Sequence, residues 1–143
     1  MKKIISIVIF ISILLIGNSL ANNHYPITTE SKIMIAKGKI SYEIHCASCH
    51  KVNLAGADNW KGLDQDGHRK APPLNGAGHA WHHDDVTLHS ITKYGLAKLV
   101  KNYQGKMIGF GDKLSDEEID NVLAYIKSYW PKDEYEYQID LNK

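Results

Sequence analysis

Cys46-Ala47-Ser48-Cys49-His50 decides how the rest of the chain is read. It holds both cysteines of the sequence, and two thiols three positions apart admit several chemistries. A redox dithiol of this spacing would sit in a βαβ pattern, which is absent. A zinc site would want a second pair of Cys or His at ligand spacing, and a plain disulfide would leave His50 without a purpose. Covalent haem attachment needs two thiols placed to meet two vinyl groups and a histidine that reaches iron from the same face. These five residues meet those demands, so one covalently bound haem is expected, held by Cys46, Cys49 and His50.

Upstream of the cysteines, Ile33, Ala36, Ile40 and Ile44 recur at three- and four-residue steps and predict a first helix from Ser31. Downstream, Lys51 to Lys70 is rich in Gly, Asp and Asn, with Trp60 as its large apolar residue, and reads as a long loop wrapped around something. Ala71-Pro72-Pro73-Leu74-Asn75-Gly76 is a rigid extended turn. A short helix is predicted from about Asp85 to Tyr94, with Asp84 or Asp85 as N-cap and Gly95 as its stop. Ser115-Asp116-Glu117-Glu118 forms a capping box for a last helix whose apolar face is Ile119, Val122, Leu123 and Ile126, ended by Pro131. No strand of convincing length is seen, so the class is all-α.

Lys2 and Lys3, the apolar run Ile4 to Ile16, and Ser19 and Ala21 at cleavage spacing form a signal-peptide layout over residues 1–21. Export to the periplasm with cleavage after Ala21 is expected; an uncleaved anchor is the alternative, although the run is shorter than the roughly 20 residues a spanning helix needs. The organisation expected is then a flexible leader at 22–30, one domain at 31–131 and an exposed acidic tail at 132–143. Cleavage takes 21 of 143 residues and leaves 122, with 15 basic against 16 acidic side chains. That length suits one domain, and the balance argues against a nucleic-acid binder.

The motif and its surroundings resemble the class I c-type cytochromes across most of the mature chain. Gly38, Lys39 and Tyr42 are similar to that family's first-helix motif, with Val122 and Tyr125 at the last-helix positions that meet it. The resemblance implies the cytochrome c fold: first and last helices crossing, a short middle helix, and long loops around one haem. It also implies that the Pro72 carbonyl receives the N–H of the iron-bound His50, that Leu74 packs on the haem, and that Met107 supplies the sixth ligand. Met34, in the first helix, faces the wrong part of the fold. Ile108 stands where the family's Met-Pro-x-Phe has proline, and a histidine as sixth ligand is the alternative to Met107.

His/Met ligation implies a one-electron carrier without substrate chemistry at iron, in which a thioether raises the potential relative to two histidines, and a monomer is expected. A haem enzyme or sensor, peroxidase-like or gas-binding with a labile sixth ligand, is the alternative. From Val86 to Gly111 there is no acidic residue, while Lys93, Lys98, Lys101 and Lys106 occur. They read either as a patch steering acidic redox partners, such as a membrane-bound oxidase or reductase, or as a solvated loop. Gly78-His79-Ala80-Trp81-His82-His83 is similar to a stretch in a subgroup of exported monohaem cytochromes. Its histidines suit copper or zinc; the structural reading has Trp81 shielding a haem edge while an imidazole reaches a propionate or a carbonyl.

Overall fold

The computed structural model describes residues 26–143, so the expected signal segment lies outside the described residues. Six α-helices occur in the described chain: α1 Lys32–His45, α2 Ala47–His50, α3 Asp85–Tyr94, α4 Leu96–Leu99, α5 Asp116–Lys127 and α6 Lys132–Asp140. A 3₁₀ turn, Ala80–His82, precedes α3. No strand forms among the described residues; Leu63–Arg69 and Arg69–Gly105 make only isolated bridges. The all-α architecture is the one expected.

Local sequence sets the helix ends. Ser31 accepts from the Met34 amide at the start of α1, and Asp84 accepts from Thr87 at the start of α3. Ser115 and Glu118 cap α5 reciprocally, satisfying two amides that helix geometry leaves without partners. Gly95, at φ 79°, ends α3 in a backbone conformation that favours glycine.

The core forms where α1 crosses α5. A Cβ on Gly38 would fall inside the Asn121 carbonyl and 3.0 Å from Tyr125 Cβ, so only glycine allows this approach. Tyr42 is fully buried, its ring 5.3 Å from Tyr125, among Ile119, Val122 and Leu123. The crossing is the one expected, with Gly38 and Tyr42 of α1 against Val122 and Tyr125 of α5. Ile33, Ile40 and Ile44 are 71%, 62% and 69% exposed, and the buried line runs instead through Ile35, Gly38 and Tyr42. The isoleucine spacing announces the helix but not its packed line, because the decisive residue there has no side chain to count. Met34 packs partly buried against this core.

The exposed tail and the flexible leader are corrected. Lys132–Asp140 is helical, and Gln138 is buried. Asp85 collects the reason: its Oδ1 accepts from Lys127 Nζ at 2.9 Å and Gln138 Nε2 at 2.8 Å, and its Oδ2 from the Ile27 amide at 2.6 Å. Its own amide donates to Asn142 Oδ1 at 2.8 Å. Asp85 and Lys127 side chains are wholly buried, so these bonds replace the water both charges lost. Burial lowers the Lys127 pKa, and the Asp85 bond opposes that shift. Ile27, 2% exposed, docks on the same node, so residues 26–30 are not loose; residues 22–25 lie outside the described residues.

Candidate haem site

α1 ends at His45, and the chain turns through Cys46 into the single helical turn of α2. Both cysteines are free thiols, Cys49 exposed and Cys46 half-buried. Burial, then the neighbouring Cys49, pushes the Cys46 thiol up to about 11. Tyr42 donates to the Lys51 carbonyl at 2.8 Å, which fixes the chain just beyond the motif to the helix just before it.

His50 is 8% exposed, and its Nδ1 lies 2.9 Å from the Pro72 carbonyl oxygen. A carbonyl only accepts, so Nδ1 carries the proton and Nε2 is left with a bare lone pair. Burial lowers the His50 pKa and the Pro72 bond raises it in part, which favours the neutral imidazole that coordinates metals. The donor set, two thiols and one neutral oriented imidazole on adjacent turns, fits haem c.

The turn that supplies Pro72 is itself braced. The Leu74 amide donates to the Leu54 carbonyl at 2.8 Å, and the Leu74 carbonyl accepts from Trp130 Nε1 at 2.9 Å. Leu74 packs half-buried against the core. Sequence reasoning missed Leu54 and Trp130. Leu54 is fully buried at φ 60°, where composition showed only a polar loop; Trp130, just before the proline that begins α6, was the available signal.

Met107 is half-buried and lines a cleft of about 320 Å³ with Tyr94, Ala97, Ile108 and Gly109. Its segment reaches the attachment turn through Phe110, whose ring lies 6.1 Å from that of His45. On the other flank, Lys106 Nζ donates to Asp64 at 2.7 Å and Asp66 at 3.2 Å. The Lys106 bond, then the His68 amide, holds the Asp64 carboxyl well below the usual range, and the Lys106 pKa is raised in turn. Asp64, Asp66 and His68 offer ligand atoms within 4.8 Å of one another, but the Lys106 ammonium is bonded to both carboxylates. Lys93 pairs with Asp116 at 2.6 Å. Two of the four lysines expected to form a patch are thus neutralised, leaving Lys98 and Lys101 without an ion pair among the described residues.

His79, His82 and His83 do not converge. His79 stacks 6.2 Å from Trp60 and meets His83 edge-on at 6.0 Å, whereas His82 packs 3.7 Å from Trp81 and turns toward Tyr137. Burial of part of its ring, then the imidazoles of His83 and His82, lowers the His79 pKa although one side of the residue is open to solvent. Trp81 Nε1 donates to the Gly76 and Gly78 carbonyls at 3.2 and 3.1 Å, so the indole ties the 3₁₀ turn back to the proline turn.

Residues 35–130 match the model of the cytochrome c family. The chain belongs to that family. Membership carries covalently bound haem c and electron transfer with it, and it fits the oriented His50 directly after the two thiols. Over 94 residues the cytochrome is 30% identical to the cbb3-type cytochrome c oxidase subunit FixP of Azorhizobium caulinodans. That match covers 65% of this chain and 28% of the relative, so the cytochrome spans less than a third of that protein's length. No helix of the described residues is long and apolar enough to cross a membrane.

Proposed function

We propose that this cytochrome is an exported one-electron carrier with a single haem c joined to Cys46 and Cys49, His50 and Met107 being the axial ligands. The observation that carries the reading is the His50 Nδ1 bond to the Pro72 carbonyl, which presents Nε2 as a ligand. When bound, the haem supplies an iron that cycles between ferric and ferrous states. The chain's own work is to fix the proximal imidazole, exclude water with Leu74 and the core behind it, and supply a thioether from a segment pinned beside His45. With His50 and Met107 both holding the iron, no place would remain there for a substrate, which favours transfer over catalysis.

Export with cleavage after Ala21 is part of this proposal, resting on the basic, apolar and small-residue succession of residues 1–21. N-terminal sequencing of protein recovered from the periplasm tests it, and a start at Met1 would overturn it. Lys98 and Lys101 are the charges free to steer an acidic surface on a redox partner, and a membrane-bound oxidase or reductase is the class proposed. The relative's name, an oxidase subunit, points the same way.

The test of the site is chemical. Protein matured with its cytochrome assembly system should stain for haem in denaturing gels and carry one haem of added mass; a bare polypeptide mass would sink the assignment. Met107→Ala should abolish the sulfur-to-iron charge-transfer band and lower the reduction potential, while Met34→Ala changes neither. An unchanged spectrum in Met107→Ala would pass the sixth position to a histidine.

A further inference from the structure

The segment carrying Met107 meets α3 backbone to backbone. The last carbonyls of a helix have no partners within it, and here two are satisfied from outside: Thr92 O accepts from the Phe110 amide and Lys93 O from the Gly111 amide, both at 3.0 Å. Between these bonds and Met107 two glycines face one another. A Cβ on Gly95 would lie 2.5 Å from Gly109 N and 3.0 Å from Met107 O; a Cβ on Gly109 would lie 2.5 Å from Tyr94 C and 2.6 Å from Lys93 O. Every atom those methyl groups would meet is backbone, which cannot swing aside as a side chain does. Gly95 is buried, and its φ of 79° adds a second reason for glycine.

We propose that Gly95 and Gly109 are positioning residues for the sixth ligand: their contact presses the Met107 segment onto the end of α3 and keeps the thioether in place against competitors. This rests on Met107 being that ligand. Upstream of Met107, the side-chain tether among the described residues is the exposed Lys106 pair with Asp64 and Asp66, which salt weakens. The glycine contact is short-ranged, made of backbone and two residues from Met107, so it sets how often Met107 leaves. An added ligand binds only when the sixth position is open, and its apparent affinity is scaled by the open fraction.

The experiment is an imidazole titration of the ferric holoprotein, followed through the sulfur charge-transfer band. Gly109→Ala should bind imidazole at least tenfold more tightly than the wild type and show a lower reduction potential. Gly111→Ala, whose Cβ would meet chiefly the movable Lys93 side chain, should give a smaller rise and serves in its place if Gly109→Ala does not fold. Gly78→Ala is the control for general damage, because its Cβ would strike the Pro73 carbonyl on the proximal side; its imidazole affinity should equal the wild type's. Wild-type affinity in the distal variants, or an equal rise in Gly78→Ala, overturns the clamp. Met107→Ala separates the two ideas: if it binds imidazole no more tightly than the wild type, the methionine ligand fails and the clamp with it, whereas a rise there alone discards only the clamp.

Discussion

Where α1 crosses α5, contact is made by interleaved side chains, Tyr42 against Tyr125 and Val122, closed at the tightest point by Gly38. Where residues 104–111 meet the rest of the molecule, contact is made by main chain: Gln104 O accepts from Arg69 N, Phe110 N and Gly111 N donate to α3, and the flank is an exposed ion pair. The crossing is held chiefly by buried apolar area, with a single exposed ion pair, Lys37 to Glu117, at its rim among the described residues. The distal segment buries little and relies on hydrogen bonds and charge, so it belongs to the part of a protein that opens first. Under the proposed ligation, Met107 would then leave the iron while the helices stay folded.

The hardest way to break the contrast is at the buried node behind the crossing. Asp85→Ala strands the Lys127 ammonium in a fully buried site, and losing one partner of such a pair costs about 3–5 kcal/mol. Thermal and denaturant unfolding should show this loss, with the methionine band unaltered in the protein that remains folded. A loss under 1 kcal/mol would mean the node does not hold α6 and Ile27 in place.

Next in size is Gly38→Leu. Overpacking ordinarily costs about 1–3 kcal/mol, and the obstacle here is backbone, which places the effect at the upper end. Denaturant unfolding measures it. A variant as stable as the wild type would show that α1 and α5 are not held by their close approach.

The smallest effect sharpens the other side of the comparison. Lys106→Gln removes the strongest influence on Asp64. A carboxylate whose folded pKa lies below its unfolded value contributes stability that is present above about pH 4 and lost as pH falls through the folded value. Asp116 and Glu118 are shifted the same way, the first chiefly by Lys93 and the second by the Ser115 amide, so stability should fall on acidification in the wild type. In Lys106→Gln the fall should be shallower, read as melting temperature against pH. Identical slopes would show that the tether is spent on solvent.

How far the sequence speaks follows the same division. The α5 capping box, the Asp84 cap and the Gly95 stop are local signals, and each lies where expected because a helix end is decided by its own few residues. On α1 the isoleucines that announce the helix, Ile33, Ile40 and Ile44, lie exposed, and the packed line was legible only through the likeness of Gly38 and Tyr42 to the family motif, since a glycine adds nothing to an apolar stripe. α6 was missed because Lys132–Asp140 is polar almost throughout, and what holds it is one buried amide reaching a carboxylate 53 positions away. At the site, the Cys46–His50 motif is legible because its spacing is its chemistry. The brace from Trp130 to Leu74 and the contact of Gly95 with Gly109 are not, since one ends on a distant backbone carbonyl and the other is backbone on both sides, and sequence spacing announces neither meeting.

Asp85 has one more consequence. Ile27, near the first described residue, donates to its carboxylate, and Asn142, next to the last, accepts from its amide. The domain is therefore a bead whose two strings leave from one point. Such a bead can be inserted into a loop of another protein, or strung beside others, with the insertion geometry fixed by a single side chain. It can also be cut open elsewhere and rejoined: a short polar linker across Ile27 and Asn142, with new ends in the loop near Gly67, would keep the Cys46–His50 motif and the Pro72 carbonyl intact while reversing the order in which the two halves are made.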